Sequence, residues 1–125
     1  MLQPDFAKSE QGLLPAIVQD VQSREVLMLA YMDSQAWELT RSTGRAHFYS
    51  RSRNKIWQKG ESSGHVQVVH SLRLDCDLDT ILLLVEQLGG AACHKGYQSC
   101  FFREIKQGDV QYCSPKIFDP QEVYK

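Results

Sequence analysis

Two apolar runs, LLPAIVQ at residues 13–19 and EVLMLAYM at residues 25–32, give the clearest indication of the fold of this chain. They are rich in aliphatic, β-branched and aromatic residues, and the five residues between them are mostly polar. Apolar runs of this length on either side of a short polar turn are typical of a β-hairpin. The sequence therefore predicts two antiparallel strands near the start of the domain.

A single helix and several short strands are predicted beyond this hairpin. Asp33 or Ser34 can cap a helix over residues 35–43, and Gly44 can end it in the left-handed conformation. Alternating or β-branched residues indicate further strands, at 45–51, 56–59, 65–79, 80–87, 99–106 and 110–113. Periodicity alone also allows a buried helix at 80–87, where the β-branched content favours a strand. The balance predicts an α+β domain that is strand-rich and mostly antiparallel, with a barrel-like sheet and one clear helix.

Length and composition indicate one domain over residues 1–125, with an irregular tail at residues 114–125. The chain is 42% hydrophobic and 23% charged, which is typical of globular proteins and excludes the disordered class. A net charge of -1 argues against a dedicated nucleic-acid binder, and no apolar run approaches the ~20 residues of a membrane span. With no export signal, we expect a cytoplasmic protein whose four cysteines serve a metal or catalysis rather than disulfides.

The densest polar signal is the run DCDLD at residues 75–79. In an extended chain Asp75, Asp77 and Asp79 share one face, where three mutually repelling carboxylates would suit Mg²⁺. The outer two lie ~13 Å apart in an ideal strand, so binding a single ion requires a break in the strand near Leu78. From spacing alone, a solvated acidic edge that discourages strand pairing is an equal alternative.

Three cysteines, Cys76, Cys93 and Cys100, form a second signal. Thiolates with an imidazole nearby are what Zn²⁺ selects, and three thiolates with one open position describe a catalytic site. His94, which follows Cys93, could be a fourth ligand or a general base. The alternative is that these cysteines are small core residues, and core packing is our prediction for Cys113.

Basic, aromatic and hydroxyl side chains cluster between residues 50 and 65. Guanidinium and ammonium groups beside a Gly-Ser loop suit phosphate, and an indole can stack on a base. The predicted contacts of a phosphorylated nucleotide are Arg51, Arg53, Trp57, Lys59, Ser62 and Ser63. Taken alone, such a run is more often a solvated basic turn, and its coexistence with the cysteines favours a binding site.

Five stretches occur in order along residues 13–104: LLPAIVQD, EVLMLAYM, FYSRSRNKIWQKGESSGH, DCDLD and ACHKGYQSCFFRE. Together they resemble the phosphoribosyl-AMP cyclohydrolase family of histidine biosynthesis, and their joint occurrence makes the resemblance specific. Two departures lie near the motifs. Lys95 stands where members often carry Thr, and Gly89-Gly90 stands where many carry Gly-Pro.

The resemblance implies a metal-dependent homodimer. The three aspartates would bind Mg²⁺, while Cys76, Cys93 and Cys100 would bind Zn²⁺. The resemblance implies an intertwined homodimer in which the zinc ligands come from both chains. One chain alone would then have no complete active site. Which chain donates which cysteine stays open, as does the fourth zinc ligand.

The implied reaction is hydrolytic opening of the adenine ring of 1-(5-phosphoribosyl)-AMP at its N1–C6 bond. Zinc lowers the pKa of bound water toward about 7, and our hypothesis is that the resulting hydroxide attacks C6. Either His94 or His65 would move the proton, and the basic loop would hold the two phosphates. No redox or nucleotide cofactor is expected.

Two other functions compete with this one. A small zinc-stabilised nucleic-acid module could use SRSRNK at residues 50–55 as its basic patch, although the net charge and the missing C-x-x-C pairs oppose it. A cytidine-deaminase-like hydrolase would need H-x-E and P-C-x-x-C signatures, which the chain lacks.

Overall fold

The first hairpin of the predicted fold is confirmed. The structure is a computed structural model that describes residues 2–123. Strand β1 spans Leu14–Asp20, strand β2 spans Val26–Met32, and the two pair antiparallel. The Asp20 carboxylate holds the turn between them by accepting two hydrogen bonds from backbone N–H groups of the turn.

The helix is confirmed as α1, Ser34–Thr43. The Asp33 carboxylate accepts a hydrogen bond from the Ala36 N–H at 2.8 Å and so caps the first turn. Gly44 ends the helix at a φ of 74°, in the left-handed region that glycine adopts without a steric penalty. One face of α1 is buried in the core, through Ala36, Trp37 and Thr40.

Six further strands are β3 His47–Ser50, β4 Lys55–Gln58, β5 Gln67–Leu74, β6 Ile81–Gln87, β7 Arg103–Lys106 and β8 Asp109–Tyr112. A four-stranded sheet has the order β2-β1-β6-β5, with β1 and β6 parallel and the other pairs antiparallel. The pairs β3–β4 and β7–β8 form separate two-stranded sheets. The α+β, strand-rich and mostly antiparallel prediction is therefore confirmed.

The ambiguous run at 80–87 is a strand because it lies at the centre of the sheet. Strand β6 pairs with β1 on one side and with β5 on the other. Most of its side chains are buried, those of Ile81, Leu83, Leu84 and Val85. A strand covered on both faces has no polar alternation, which is why periodicity left helix and strand open.

The expectation of a barrel-like sheet is wrong, because the strands of residues 2–123 do not close on themselves. Beyond β5 the sheet continues only through a bridge between Arg45 and Val68 and a few backbone hydrogen bonds, such as Val69 N–H to the Gly44 carbonyl at 2.8 Å. The chain then turns away into the β3–β4 hairpin. This contact is too short to form a ladder, so the four-stranded sheet stays open.

The remaining elements are short and lie toward the ends of the chain. They are the 3₁₀ turns Phe6–Lys8 and Leu88–Gly90 and the helix α2, Pro120–Val123. The tail predicted to be irregular has no helix or strand over residues 114–119, and α2 follows it. Residues 124 and 125 lie outside the described residues. Over the described part of the chain, no helix is both long and apolar enough to cross a membrane.

The core positions the loops that carry the chemistry. It is formed by apolar side chains of the sheet, α1 and β3, among them Ala16, Val18, Met32, Trp37, Phe48, Leu83 and Val85. The loops that follow β4, β5 and β6 contain most of the predicted site residues, and Arg51, Arg53 and Trp57 lie in the β3–β4 hairpin. Rigid strands therefore hold both ends of the first two loops.

Candidate metal and nucleotide site

The acid turn, residues 75–79, brings three carboxylates together. Strand β5 ends at Leu74, and Leu78 adopts a φ of 65°, in the left-handed region. This is the break that the sequence predicted near Leu78. Because of it, carboxylate oxygens of Asp75, Asp77 and Asp79 lie within 4.8 Å of one another.

Backbone hydrogen bonds fix the acid turn from inside and from the N-terminal segment. The N–H groups of Asp79 and Thr80 both donate to Asp75 Oδ1, at 3.0 and 3.2 Å. From outside, the Asp5 N–H donates to the Leu78 carbonyl at 2.7 Å, and the Lys8 ammonium donates to a backbone carbonyl of the turn. Of the three carboxylates, these contacts use only that of Asp75, through its Oδ1.

The carboxylates of the acid turn perturb one another. Desolvation, together with the hydrogen bond and charge of Asp75, raises the pKa of Asp79. Desolvation acts the same way on Asp75, but the hydrogen bonds from Asp79 and Thr80 outweigh it and lower the Asp75 pKa. Hard oxygen ligands at this spacing fit a divalent cation such as Mg²⁺, which would relieve the repulsion.

The cysteine loop, residues 93–100, returns on itself so that Cys93 and Cys100 meet; we call them the thiol pair. Its ends are joined by backbone hydrogen bonds, Ala92 N–H to the Gln98 carbonyl at 3.0 Å and Cys93 N–H to the Tyr97 carbonyl at 3.1 Å. Although Cys100 as a residue is exposed, desolvation of its thiol and the nearby Cys93 raise its pKa to about 11. Two adjacent thiols are the donor set of a soft cation, and Zn²⁺ fits them.

A C-terminal strap, residues 115–118, lies across the cysteine loop. The Gln98 N–H donates to the Pro115 carbonyl at 2.9 Å, and the Ile117 N–H donates to the Gly96 carbonyl at 2.6 Å. A Cβ on Gly96, whose φ is 94°, would overlap the Phe118 carbonyl oxygen. The loop therefore depends on a glycine at position 96 and on the strap above it.

Cys76 does not join the thiol pair within one chain. Its exposed thiol donates to Asp77 Oδ1 at 2.8 Å, and that hydrogen bond, with the charge of Asp77, raises the Cys76 pKa. Within residues 2–123, the acid turn is the one place where three possible metal-ligating side chains converge. The prediction that Cys113 packs in the core is wrong, because its side chain is exposed beside the β7–β8 hairpin.

A cavity of about 260 Å³ collects most of the predicted nucleotide contacts. Its walls include the side chains of Arg53, Trp57, Lys59, Ser62, Ser63 and His94. Arg51 is not part of it. The Arg51 guanidinium lies 4.4 Å from the centre of the Tyr31 ring and lines a second cavity, of about 690 Å³.

The two candidate histidines occupy different places. His94 is exposed and lines the 260 Å³ cavity. The His65 ring instead lies against Gly89, where a Cβ would overlap it, and makes an edge contact with Phe118 at 5.0 Å. Its Nδ1 is buried and has no hydrogen-bond partner within residues 2–123. Of the two, His94 has the position from which it could reach a bound nucleotide.

The direction of the Lys59 side chain was not foreseen from the sequence. Its Nζ donates to the Ala92 carbonyl at 2.5 Å, so the ammonium points toward the start of the cysteine loop. Burial lowers the Lys59 pKa, and the nearby Cys100 and Cys93 oppose that shift. Lys59 therefore links the wall of the cavity to the start of the cysteine loop.

Comparison with known proteins agrees with the resemblance. A sequence model described as phosphoribosyl-AMP cyclohydrolase matches residues 28–102. This chain belongs to the phosphoribosyl-AMP cyclohydrolase family. It is 62% identical over 122 residues to the phosphoribosyl-AMP cyclohydrolase of Oleidesulfovibrio alaskensis, covering 98% of this chain and 93% of that protein. A protein of the same name in Methanosarcina barkeri is 58% identical, over 100% of this chain and 94% of that protein. Another, in Desulfotalea psychrophila, is 55% identical, over 99% of this chain and 98% of that protein.

The stretch matched to the phosphoribosyl-AMP cyclohydrolase family contains the candidate metal ligands. It does not contain all of the segments that pack against their loops. The acid turn, the cysteine loop and the cavity residues all lie within residues 28–102. The N-terminal contacts to the acid turn and the strap over the cysteine loop lie outside it. Both ends of the chain therefore brace a site that the central segment provides.

Proposed function

We propose that this protein hydrolyses the N1–C6 bond of the adenine ring in 1-(5-phosphoribosyl)-AMP. The product is the phosphoribosyl-formimino-aminoimidazole carboxamide ribotide of histidine biosynthesis. Membership of the cyclohydrolase family supports the reaction. The observation that carries the proposal is that Lys59, on the wall of the basic, hydroxyl-rich cavity, donates to the carbonyl of Ala92, the residue directly before Cys93 of the thiol pair.

Zn²⁺ is the cation that the thiol pair would hold. Cys93 and Cys100 supply two thiols, and Cys76 of a second copy of the chain is the candidate for the third. Bound zinc would lower the pKa of a water ligand toward about 7 and so supply hydroxide at neutral pH. His94 would accept or donate the proton, and its position on the wall of the 260 Å³ cavity supports that role.

Side chains of the 260 Å³ cavity would orient the nucleotide. The Trp57 indole can stack on the adenine ring, and the Arg53 guanidinium with the hydroxyl groups of Ser62 and Ser63 can bind a phosphate. Arg51 lines a separate cavity and is assigned to the second phosphate of the substrate. Holding both phosphates would fix the position of the ring relative to the thiol pair.

A homodimer is the assembly that we propose. Within the described chain, the β7–β8 hairpin pairs with no other strand. Its cross-strand partners Ile105 and Val110 have exposed fractions of 76% and 61%. Phe101 and Tyr112, close by along the chain, are also exposed. Exposed apolar side chains grouped in this way are typical of a protein interface. A second copy would cover them and could bring its Cys76 to the thiol pair.

A cytoplasmic location is proposed from the state of the cysteines. All four thiols are free. Free thiols are expected where glutathione keeps proteins reduced, and thiols that ligate a metal must stay free.

Substitution of Asp79 by asparagine is expected to remove magnesium binding at the acid turn. The variant keeps the size of the side chain but removes one of three negative charges that would hold the ion. A saturating concentration of MgCl₂ should raise the melting midpoint of the wild-type protein by about 5–10 °C and leave that of Asp79→Asn unchanged. Asp109→Asn, in the β7–β8 hairpin, serves as the matched control. Equal stabilisation of both variants by Mg²⁺ would exclude the acid turn as its site.

The activity itself is tested with purified protein and synthetic 1-(5-phosphoribosyl)-AMP. Opening of the adenine ring is followed by ultraviolet absorbance, and the metal content of the same sample is measured by elemental analysis. We expect turnover that a zinc chelator abolishes and added Zn²⁺ restores. Unchanged substrate with fully zinc-loaded protein would refute the proposed activity, and turnover at full rate in metal-free protein would refute the role of zinc.

A further inference from the structure

The partly buried side chain of Lys59 points toward the cysteine loop, a direction that phosphate binding does not require. Lys59 follows β4, and its backbone N–H donates to the Ala46 carbonyl at 3.0 Å, which fixes the start of the side chain. The Nζ donates to the carbonyl of Ala92, the residue directly before Cys93. The ammonium is therefore held against the backbone at the start of the cysteine loop.

The thiol pair needs a positive charge when its thiols ionise. Thiols bind a metal as thiolates, and the Lys59 ammonium, which donates to the carbonyl of Ala92, is held one residue along the chain from Cys93. A zinc ion with three thiolates carries one net negative charge, which a single ammonium would balance. A cation that is partly removed from water is stabilised by a nearby negative charge, so the partly buried position of Lys59 fits a negatively charged centre.

We propose that Lys59 is a positioning residue for the metal centre, and that its ammonium, bound to the Ala92 carbonyl, stabilises Cys93 and Cys100 as thiolate ligands. The inference rests on the proposed zinc site. It changes the role that the sequence suggested for Lys59, because phosphate binding falls to Arg53 and the serine hydroxyls of the cavity. Lys59 then acts through the thiolates and not through the nucleotide.

The test is the affinity for Zn²⁺ in the absence of substrate. Competition with a chromophoric chelator gives the Kd for the wild type, for the neutral variants Lys59→Gln and Lys59→Met, and for the cationic variant Lys59→Arg. We expect the neutral variants to bind Zn²⁺ about 10- to 100-fold more weakly, as for other groups that support metal ligands. Lys59→Arg should recover most of the loss, because it keeps the charge. Thermal melting of the metal-free proteins confirms that each variant is folded.

Arg53→Met is the matched control, because Arg53 lines the same cavity but makes no contact with the Ala92 carbonyl. It should leave the zinc Kd unchanged and raise the KM for substrate. Unchanged zinc affinity in both neutral variants, together with a raised KM, would overturn the inference and return Lys59 to the phosphate. A wild-type protein that binds no Zn²⁺ would overturn it as well.

The inference and the proposed function fail in different ways. A wild-type protein that binds zinc but does not open the adenine ring would refute the function, while the zinc affinities of the variants would still decide the role of Lys59. A fully active wild type whose neutral Lys59 variants bind zinc normally would refute only the inference.

Discussion

Cys93→Ser is expected to lose bound zinc and to lower kcat by at least about 1000-fold. Cys93 is buried at the start of the cysteine loop and interacts with Cys100, so its thiol is central to the proposed donor set. Serine keeps the size of the side chain but is a poor ligand for Zn²⁺. Elemental analysis of the purified variant and its rate of ring opening measure the two effects together.

Cys113→Ser is the control for that experiment. Cys113 is also a free thiol, but it is exposed and lies outside the cysteine loop. Its variant should hold as much zinc as the wild type and turn over at the same rate. If Cys93→Ser also kept its zinc and its rate, the thiol pair would not be the metal site.

Gly96→Ala is expected to disrupt the cysteine loop as a whole. Its φ of 94° is unfavourable for any residue with a Cβ, and that Cβ would overlap the Phe118 carbonyl oxygen of the strap. Both the backbone and the strap would have to move. We expect the free energy of unfolding to fall by about 2–4 kcal/mol and kcat to fall by at least about 100-fold, because a displacement of about 1 Å at a catalytic centre has an effect of this size.

Gly44→Ala separates the backbone effect from the effect on the strap. Gly44 also has a positive φ, of 74°, but a Cβ there would meet no atom within 4 Å. The variant should lose about 1–2 kcal/mol of stability through its backbone alone and keep the kcat of the wild type. Chemical denaturation and the ring-opening assay are applied to both variants. Equal kcat values for the two would show that the strap does not support the site.

Local features of the fold were predictable from the sequence because their causes are local. The first hairpin follows from two apolar runs and a polar turn, and α1 follows from Asp33 and Gly44 at its ends. The break near Leu78 was predictable because the three carboxylates can approach one another only if the strand ends there. Each of these features depends on residues fewer than about twenty positions apart.

Features that depend on distant contacts were not predictable in the same way. A barrel-like sheet was expected, but only a short backbone contact follows β5. No sequence signal linked Lys59 to the Ala92 carbonyl or residues 115–118 to Gly96, because each contact is set by the packing of separate elements. Core packing was predicted for Cys113 from residue type alone, and its hairpin instead leaves it exposed.

The proposed zinc site is tested most directly by asking whether two copies of the chain share it. Chains carrying Cys76→Ser and Cys93→Ser are co-expressed with different affinity tags, and the mixed dimer is purified by both tags. One of its two sites would then contain Cys76 from one chain and the thiol pair from the other, so we expect about half of the wild-type zinc content and rate, although each variant alone is inactive. A mixed dimer as inactive and zinc-free as its parents would contradict a site shared between chains.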